Sequence, residues 1–167
     1  MSRSTWLSWW SCGALSKRML GTVVVATTVA LGCGATLAQS GDKAKARLEV
    51  WKSSGCSDCH GAFANGEKDR DEAPTGANLR TARLDAAALK KVISCGKPGA
   101  EMPAFDEKAA MCSGEVGLYP TPRTLTSDEI DAVVAYLQAR IVGHGRITKA
   151  ECLAYYDGQE DMCGDFQ

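Results

Sequence analysis

The chain has 167 residues, 45% of them hydrophobic and 23% charged, which is the make-up of one globular domain with appendages and excludes a disordered tract. The formal net charge is −1, but Arg3, Lys17 and Arg18 all fall in the first 38 residues, which contain no acid. Taking those 3 from the 19 basic residues leaves 16 against 20 acidic ones, a balance of −4 that lacks the basic excess of a nucleic-acid-binding domain and suits docking to a basic protein surface.

Residues 1–18 contain Trp6, Trp9 and Trp10 and end in Lys17 and Arg18; an apolar run, Met19 to Leu31, follows, and then small residues to Ala38. Positive, apolar, small is the order of a secretory signal peptide, here residues 1–38 with cleavage after Ala38. Two alternatives stand beside it. The uncharged stretch from Met19 to Ser40 could remain as a membrane anchor. Cys33, after Ala30-Leu31-Gly32, could be acylated, although a larger aliphatic residue is usual where Ala30 stands. Each alternative places the rest of the chain outside the cytoplasm, in the periplasm.

Residues 39–41 read as a linker. The spacing of apolar residues predicts a helix over 43–52, with Asp42 as N-cap and an inward face built on Ala46 and Val50, with Leu48 and Trp51 near it. Residues 61–83, rich in Gly, Asp and Asn, read as an irregular loop. Asp85 caps a second helix that stops at Cys95-Gly96. Pro98, Pro103, Pro120 and Pro122 make 96–124 a loop. Thr126 and Glu129 form a capping box that opens a third helix, with Ile130, Val133, Val134 and Leu137 as its apolar stripe and its end by Gly143. A further short helix is expected from about Thr148. No stretch requires a sheet, so the fold class is all-α. So few helices make a thin core, one that a buried cofactor would fill.

Residues 56–60 read Cys-Ser-Asp-Cys-His. In C-x-x-C-H the two thiols add to the vinyl groups of haem as thioethers, and the next residue is held under the iron as an axial ligand. One helical turn puts both sulfurs on one porphyrin edge, which is why the spacing is two. Cys56, Cys59 and His60 are therefore expected to hold one covalent haem c. A redox dithiol would need a β-α-β frame, which is absent, and a zinc site would need a second ligand pair.

The sixth iron ligand must come from elsewhere. His144 is the only other histidine and lies between glycines, a context that suits solvent exposure. Met102, in Gly99-Ala-Glu-Met-Pro-Ala-Phe105, has the best setting: its thioether is a soft iron ligand and Pro103 stiffens the loop behind it. Met111 and Met162 lack such a loop.

On these pieces the chain resembles class I c-type cytochromes: CSDCHG at 56–61, Gly76-Ala-Asn-Leu79, Met102-Pro103, and a terminal helix with Tyr136-Leu137. The resemblance covers about residues 43–142. It implies a small helical bundle around one haem, with the first and last helices crossing so that Val50 or Trp51 packs on Tyr136 or Leu137. It also implies that a backbone carbonyl accepts the Nδ1 proton of His60. The family's proline in that segment is missing here; Ala77 is one candidate acceptor and Pro74 a second. Residues 39–147 would then be the cytochrome c domain and 148–167 an extension pinned by a disulfide.

Cys95, Cys112, Cys152 and Cys163 remain, enough for two disulfides with three possible connectivities. Local pairing, Cys95–Cys112 and Cys152–Cys163, is favoured. The first would bracket Met102 and either hold its sulfur on the iron or act only as a stability staple. The extension is either a partner-docking appendage or a solvated flap.

With both axial positions filled the iron can only change oxidation state, so the resemblance implies an electron carrier, not an enzyme. Expected partners are periplasmic redox proteins: a dehydrogenase as donor, quinoprotein types included, and an oxidase or another cytochrome as acceptor. No nucleic acid is involved, and a membrane only if the N-terminal segment is retained or lipidated. The alternatives are a bound haem subunit of a dehydrogenase complex and, with Met102 off the iron, an open-haem enzyme or gas sensor.

Overall fold

The computed structural model describes residues 34–109, 112 and 120–167. The apolar run of the expected signal peptide, Cys33 and Met111 lie outside them. Among the described residues five α-helices run in chain order: α1 Gly34–Ser53, α2 Cys56–His60, α3 Ala86–Cys95, α4 Ser127–Arg140 and α5 Lys149–Tyr155. Among the described residues there is no strand, only an isolated parallel bridge between Asp106 and Leu125, so the fold is all-α as expected.

The first helix departs from the reading of 43–52. It runs unbroken from Gly34 through 39–41, so that segment is no linker and Asp42 is an exposed helical residue, not an N-cap. Residues 34–47 are mostly good helix formers, and one Gly41, costing about 1 kcal/mol, does not break them. The inward face also differs. Leu48 and Trp51 are buried, Ala44 is half-buried one turn before them, Val50 is half-buried, and Ala46 is exposed. Positions 44, 48 and 51 are the i, i+4, i+7 neighbours that share one helix face. Gly55, at φ 71, breaks the chain between α1 and α2 in a conformation that disfavours any side chain.

The other helices follow local signals. The Asp85 carboxylate accepts the Ala88 N–H at 2.8 Å, and Leu89 and Ile93 of α3 are buried one turn apart. Thr126 and Glu129 form the capping box of α4, whose Ile130, Val133, Val134 and Leu137 are all buried. A second box, Thr148 with Glu151, opens α5.

Both α1 and α3 pack on α4. The α1–α4 crossing brings the Trp51 and Tyr136 rings to 5.9 Å between centroids, one of the contacts the resemblance implies. Among the described residues Cys95–Cys112 and Cys152–Cys163 form disulfides, the local pairing. The second ties α5 to the last turn of the chain. Tyr155, Tyr156 and Phe166 then surround the ring of Phe63, which belongs to the loop after α2. Among the described residues no helix is long and apolar enough to cross a membrane.

Candidate haem site

The single turn of α2 carries the Cys-Ser-Asp-Cys-His motif, and its end is fixed by main-chain bonds: Gly61 N–H to Ser57 at 2.8 Å and Gly66 N–H to the His60 carbonyl at 2.9 Å. Cys56, Cys59 and His60 are half-buried because they line a cavity of about 570 Å³. Burial pushes the Cys56 thiol up to about 12 and raises that of Cys59 as well, so both are neutral thiols. Neutral thiols are what addition across a vinyl double bond consumes.

His60 is held neutral too: burial lowers its pKa, and the Ala77 carbonyl only partly opposes this. Its Nδ1 lies 2.8 Å from the Ala77 oxygen. A carbonyl can only accept, so Nδ1 carries the proton and Nε2 keeps a free lone pair for a metal. Of the two acceptors considered, Ala77 is the one engaged. Gly76 makes this approach possible. Its N–H bonds the Cys59 carbonyl at 2.8 Å, and a Cβ there would sit 2.6 Å from His60 Nδ1.

Met102 reaches the same cavity from the loop after α3. That loop is closed by backbone bonds: Lys97 N–H to the Met102 carbonyl at 3.1 Å within it, and Phe105 N–H to Ile93 at 3.0 Å and Asp106 N–H to Ser94 at 3.2 Å onto the end of α3. The last two also satisfy carbonyls that a helix end leaves open. The Cys95–Cys112 disulfide closes a wider loop around these bonds. Phe105 continues into the core through the 2.6 Å bond from Leu125 N–H to its carbonyl.

Cys56, Cys59, His60 and Met102 are thus gathered on one cavity. Its remaining walls are mostly apolar, with Trp51, Leu89, Ile93, Phe105, Val133 and Leu137 drawn from α1, α3, α4 and the Met102 loop. His144 is exposed and Met162 is 48% exposed, neither on the cavity. Among the described residues no cluster of three His, Cys, Asp or Glu could hold a metal ion directly. The cavity is of cofactor size, and a covalent anchor pair, an imidazole nitrogen and a thioether on apolar walls fit haem c. Cys56 and Cys59 would anchor it; His60 and Met102 would ligate its iron. When bound there, haem c supplies a one-electron ferrous/ferric couple.

The sequence named these four residues but not Gly76 as the spacer that admits His60, nor the backbone closure of the Met102 loop. Neither has a local signal, since each depends on what lies across the fold.

Residues 42–116 match the family described as Cytochrome C oxidase, cbb3-type, subunit III. No curated protein and no solved structure matches the chain significantly. The matched family is a c-type cytochrome domain, so residues 42–116 agree with the class I c-type cytochrome resemblance and support a haem c electron-carrier role.

Proposed function

We propose that the protein is a monohaem c-type cytochrome outside the cytoplasm that passes single electrons from a dehydrogenase to an oxidase or another cytochrome. The observation that carries this reading is the convergence of Cys56, Cys59, His60 and Met102 on one apolar cavity. His60 and Met102 would ligate the iron of a haem bound there, and a His/Met pair would give it a raised reduction potential. The apolar walls exclude water from the iron's surroundings. The protein's own work is to keep both ligands in place in either oxidation state, through the Ala77 carbonyl on one and the α3 main chain on the other. Docking to partners would be small and transient.

The matched family's description as an oxidase subunit supports a second reading, a haem subunit held within a larger redox complex. Redox titration of protein prepared from the periplasm tests the main reading: a single one-electron transition in free, monomeric protein supports a mobile carrier. Recovery only in stoichiometric complex with a larger redox enzyme supports the subunit reading, and absence of a haem transition contradicts both.

A further inference from the structure

Residues 148–167 lie beyond the matched segment, yet they touch the haem-binding loops closely. The link is Arg80, whose guanidinium side chain is only 3% exposed. Burying a guanidinium is costly unless its donors and its charge are met. Here Nε donates to the Gly145 carbonyl at 2.6 Å, and Nη2 to the Arg146 carbonyl at 2.8 Å. Nη2 also lies 3.2 Å from both carboxylate oxygens of Glu151, and Nη1 donates to the Phe63 carbonyl at 3.3 Å. Three of these four partners belong to 145–151: Gly145 and Arg146 just before the extension, and Glu151 within it.

Glu151 is shared. One of its oxygens also takes the Thr148 N–H at 2.8 Å, the cap of α5. The start of the extension is therefore built on Arg80.

The backbone of Arg80 is fixed in turn to the segment that serves His60. Its N–H bonds the Asn78 side chain at 2.9 Å, and its carbonyl takes the Gly143 N–H at 3.1 Å. Leu79 N–H bonds the Ala64 carbonyl at 2.8 Å. Three residues upstream of Arg80, the Ala77 oxygen faces His60 Nδ1. The extension reaches the loop after the attachment motif by a second route as well: the Tyr155 ring lies 5.7 Å from that of Phe63.

We propose that Arg80 is a positioning residue for the haem ligand: through it, residues 145–151 hold the Ala77 carbonyl on Nδ1 of His60. The extension is then a brace on the His60 side of the cavity, and not an appendage for partners. This rests on the reading of His60 as an iron ligand. Its consequence is electronic. A firm Nδ1–H···O=C bond raises the basicity of the imidazole and favours the ferric state. Loosening it should raise the reduction potential.

The test uses the full-length holoprotein with His60 labelled for nitrogen NMR, comparing wild type with Arg80→Met, Arg80→Lys and Glu151→Gln. In wild type the His60 ring resonances must carry the hyperfine shift of an iron ligand. Without it the ligand reading fails, independently of Arg80. Given that shift, Arg80→Met should speed solvent exchange of the Nδ1 proton about ten-fold or more and raise the potential. Arg80→Lys, which keeps the charge, should lie between. The ferric thioether charge-transfer band should stay, because the Met102 loop is held separately. If Arg80→Met does not fold, Glu151→Gln decides by the same two readouts. Unchanged exchange and potential in the folded variants, with only a lowered Tm, would make Arg80 a plain staple and overturn the proposal.

Discussion

A side-chain carbon on Gly76 would lie 2.6 Å from Nδ1 of His60 and 2.8 Å from the Cys59 carbonyl. Neither neighbour can yield cheaply: one is the imidazole ring that the Ala77 carbonyl holds, the other is main chain that bonds the Gly76 N–H. Gly76→Ala should therefore displace the imidazole or the Ala77 carbonyl while leaving the α1–α4 packing alone. The expected outcome is a raised reduction potential and a lower yield of holoprotein, read by redox titration and by haem stain after denaturing electrophoresis. A variant with wild-type potential and yield would show that the contact has slack.

The Met102 loop has two supports, and they can be separated. The backbone bonds from Phe105 and Asp106 to the end of α3, with that from Lys97 to the Met102 carbonyl, close the loop before Cys112 is reached. The Cys95–Cys112 bridge spans 17 residues and should contribute about 3 kcal/mol to stability by the chain-entropy estimate. Replacing both cysteines by serine should cost about that much in a denaturant titration, yet leave the thioether charge-transfer band in place. Loss of the band without denaturant would show that the disulfide itself holds the sulfur on the iron.

Trp51 is 1% exposed and its ring is tilted against those of Tyr136 and His60, but among the described residues its buried indole N–H has no hydrogen-bond partner. An unmet buried donor costs about 1–3 kcal/mol. Trp51→Phe loses ring volume but removes that orphan, so it should destabilise by less than about 2 kcal/mol. Trp51→Ala should cost about 3–5 kcal/mol by opening a cavity between α1 and α4. Equal losses in the two variants, measured by chemical denaturation of holoprotein, would contradict this division.

The capping box of α4 carries a pH dependence with a definite sign. Glu129 accepts the Thr126 N–H at 2.9 Å and pairs with Arg123 at 2.9 Å, and its pKa is lowered by the Thr126 backbone bond first and Arg123 next. A folded-state pKa below the ordinary value means the stabilisation is fully present above the unfolded pKa and lost as pH falls through the folded one. Glu129→Gln should thus be less stable than wild type near pH 7. The gap should close on acidification below the usual carboxylate range. A gap that persists unchanged in acid would assign the effect to side-chain shape and not to charge.

What could be read from the sequence was local. Cys56 to His60 declares its chemistry in five residues, and Asp85 and the Thr126–Glu129 box mark helix starts because a cap acts within one turn. Met102 stood out because Pro103 and the glycines around it shape a loop. The start of α1 is not legible at Asp42, which looks like a cap whenever the residues before it are taken as a linker; upstream helix formers carry the helix past it. Ala46 was placed inward by a spacing that fits two faces equally, and the packing of Leu48 and Trp51 on α4 chose the other. Ala77 came from the family resemblance, not from spacing. Arg80 was invisible for a different reason: its partners at Gly145, Arg146 and Glu151 lie 65 to 71 residues further along, and nothing near Arg80 in sequence hints at burial.

The most direct test of a closed iron between His60 and Met102 is the absorption spectrum of the ferrous protein, recorded with and without carbon monoxide and compared with Met102→Ala. A c-type spectrum that carbon monoxide leaves untouched, with Met102→Ala binding the gas at a lowered potential, is the predicted result. A clear carbon monoxide shift in the wild type, or a Met102→Ala variant that neither binds the gas nor changes potential, would contradict the assignment of Met102 and with it the electron-carrier reading.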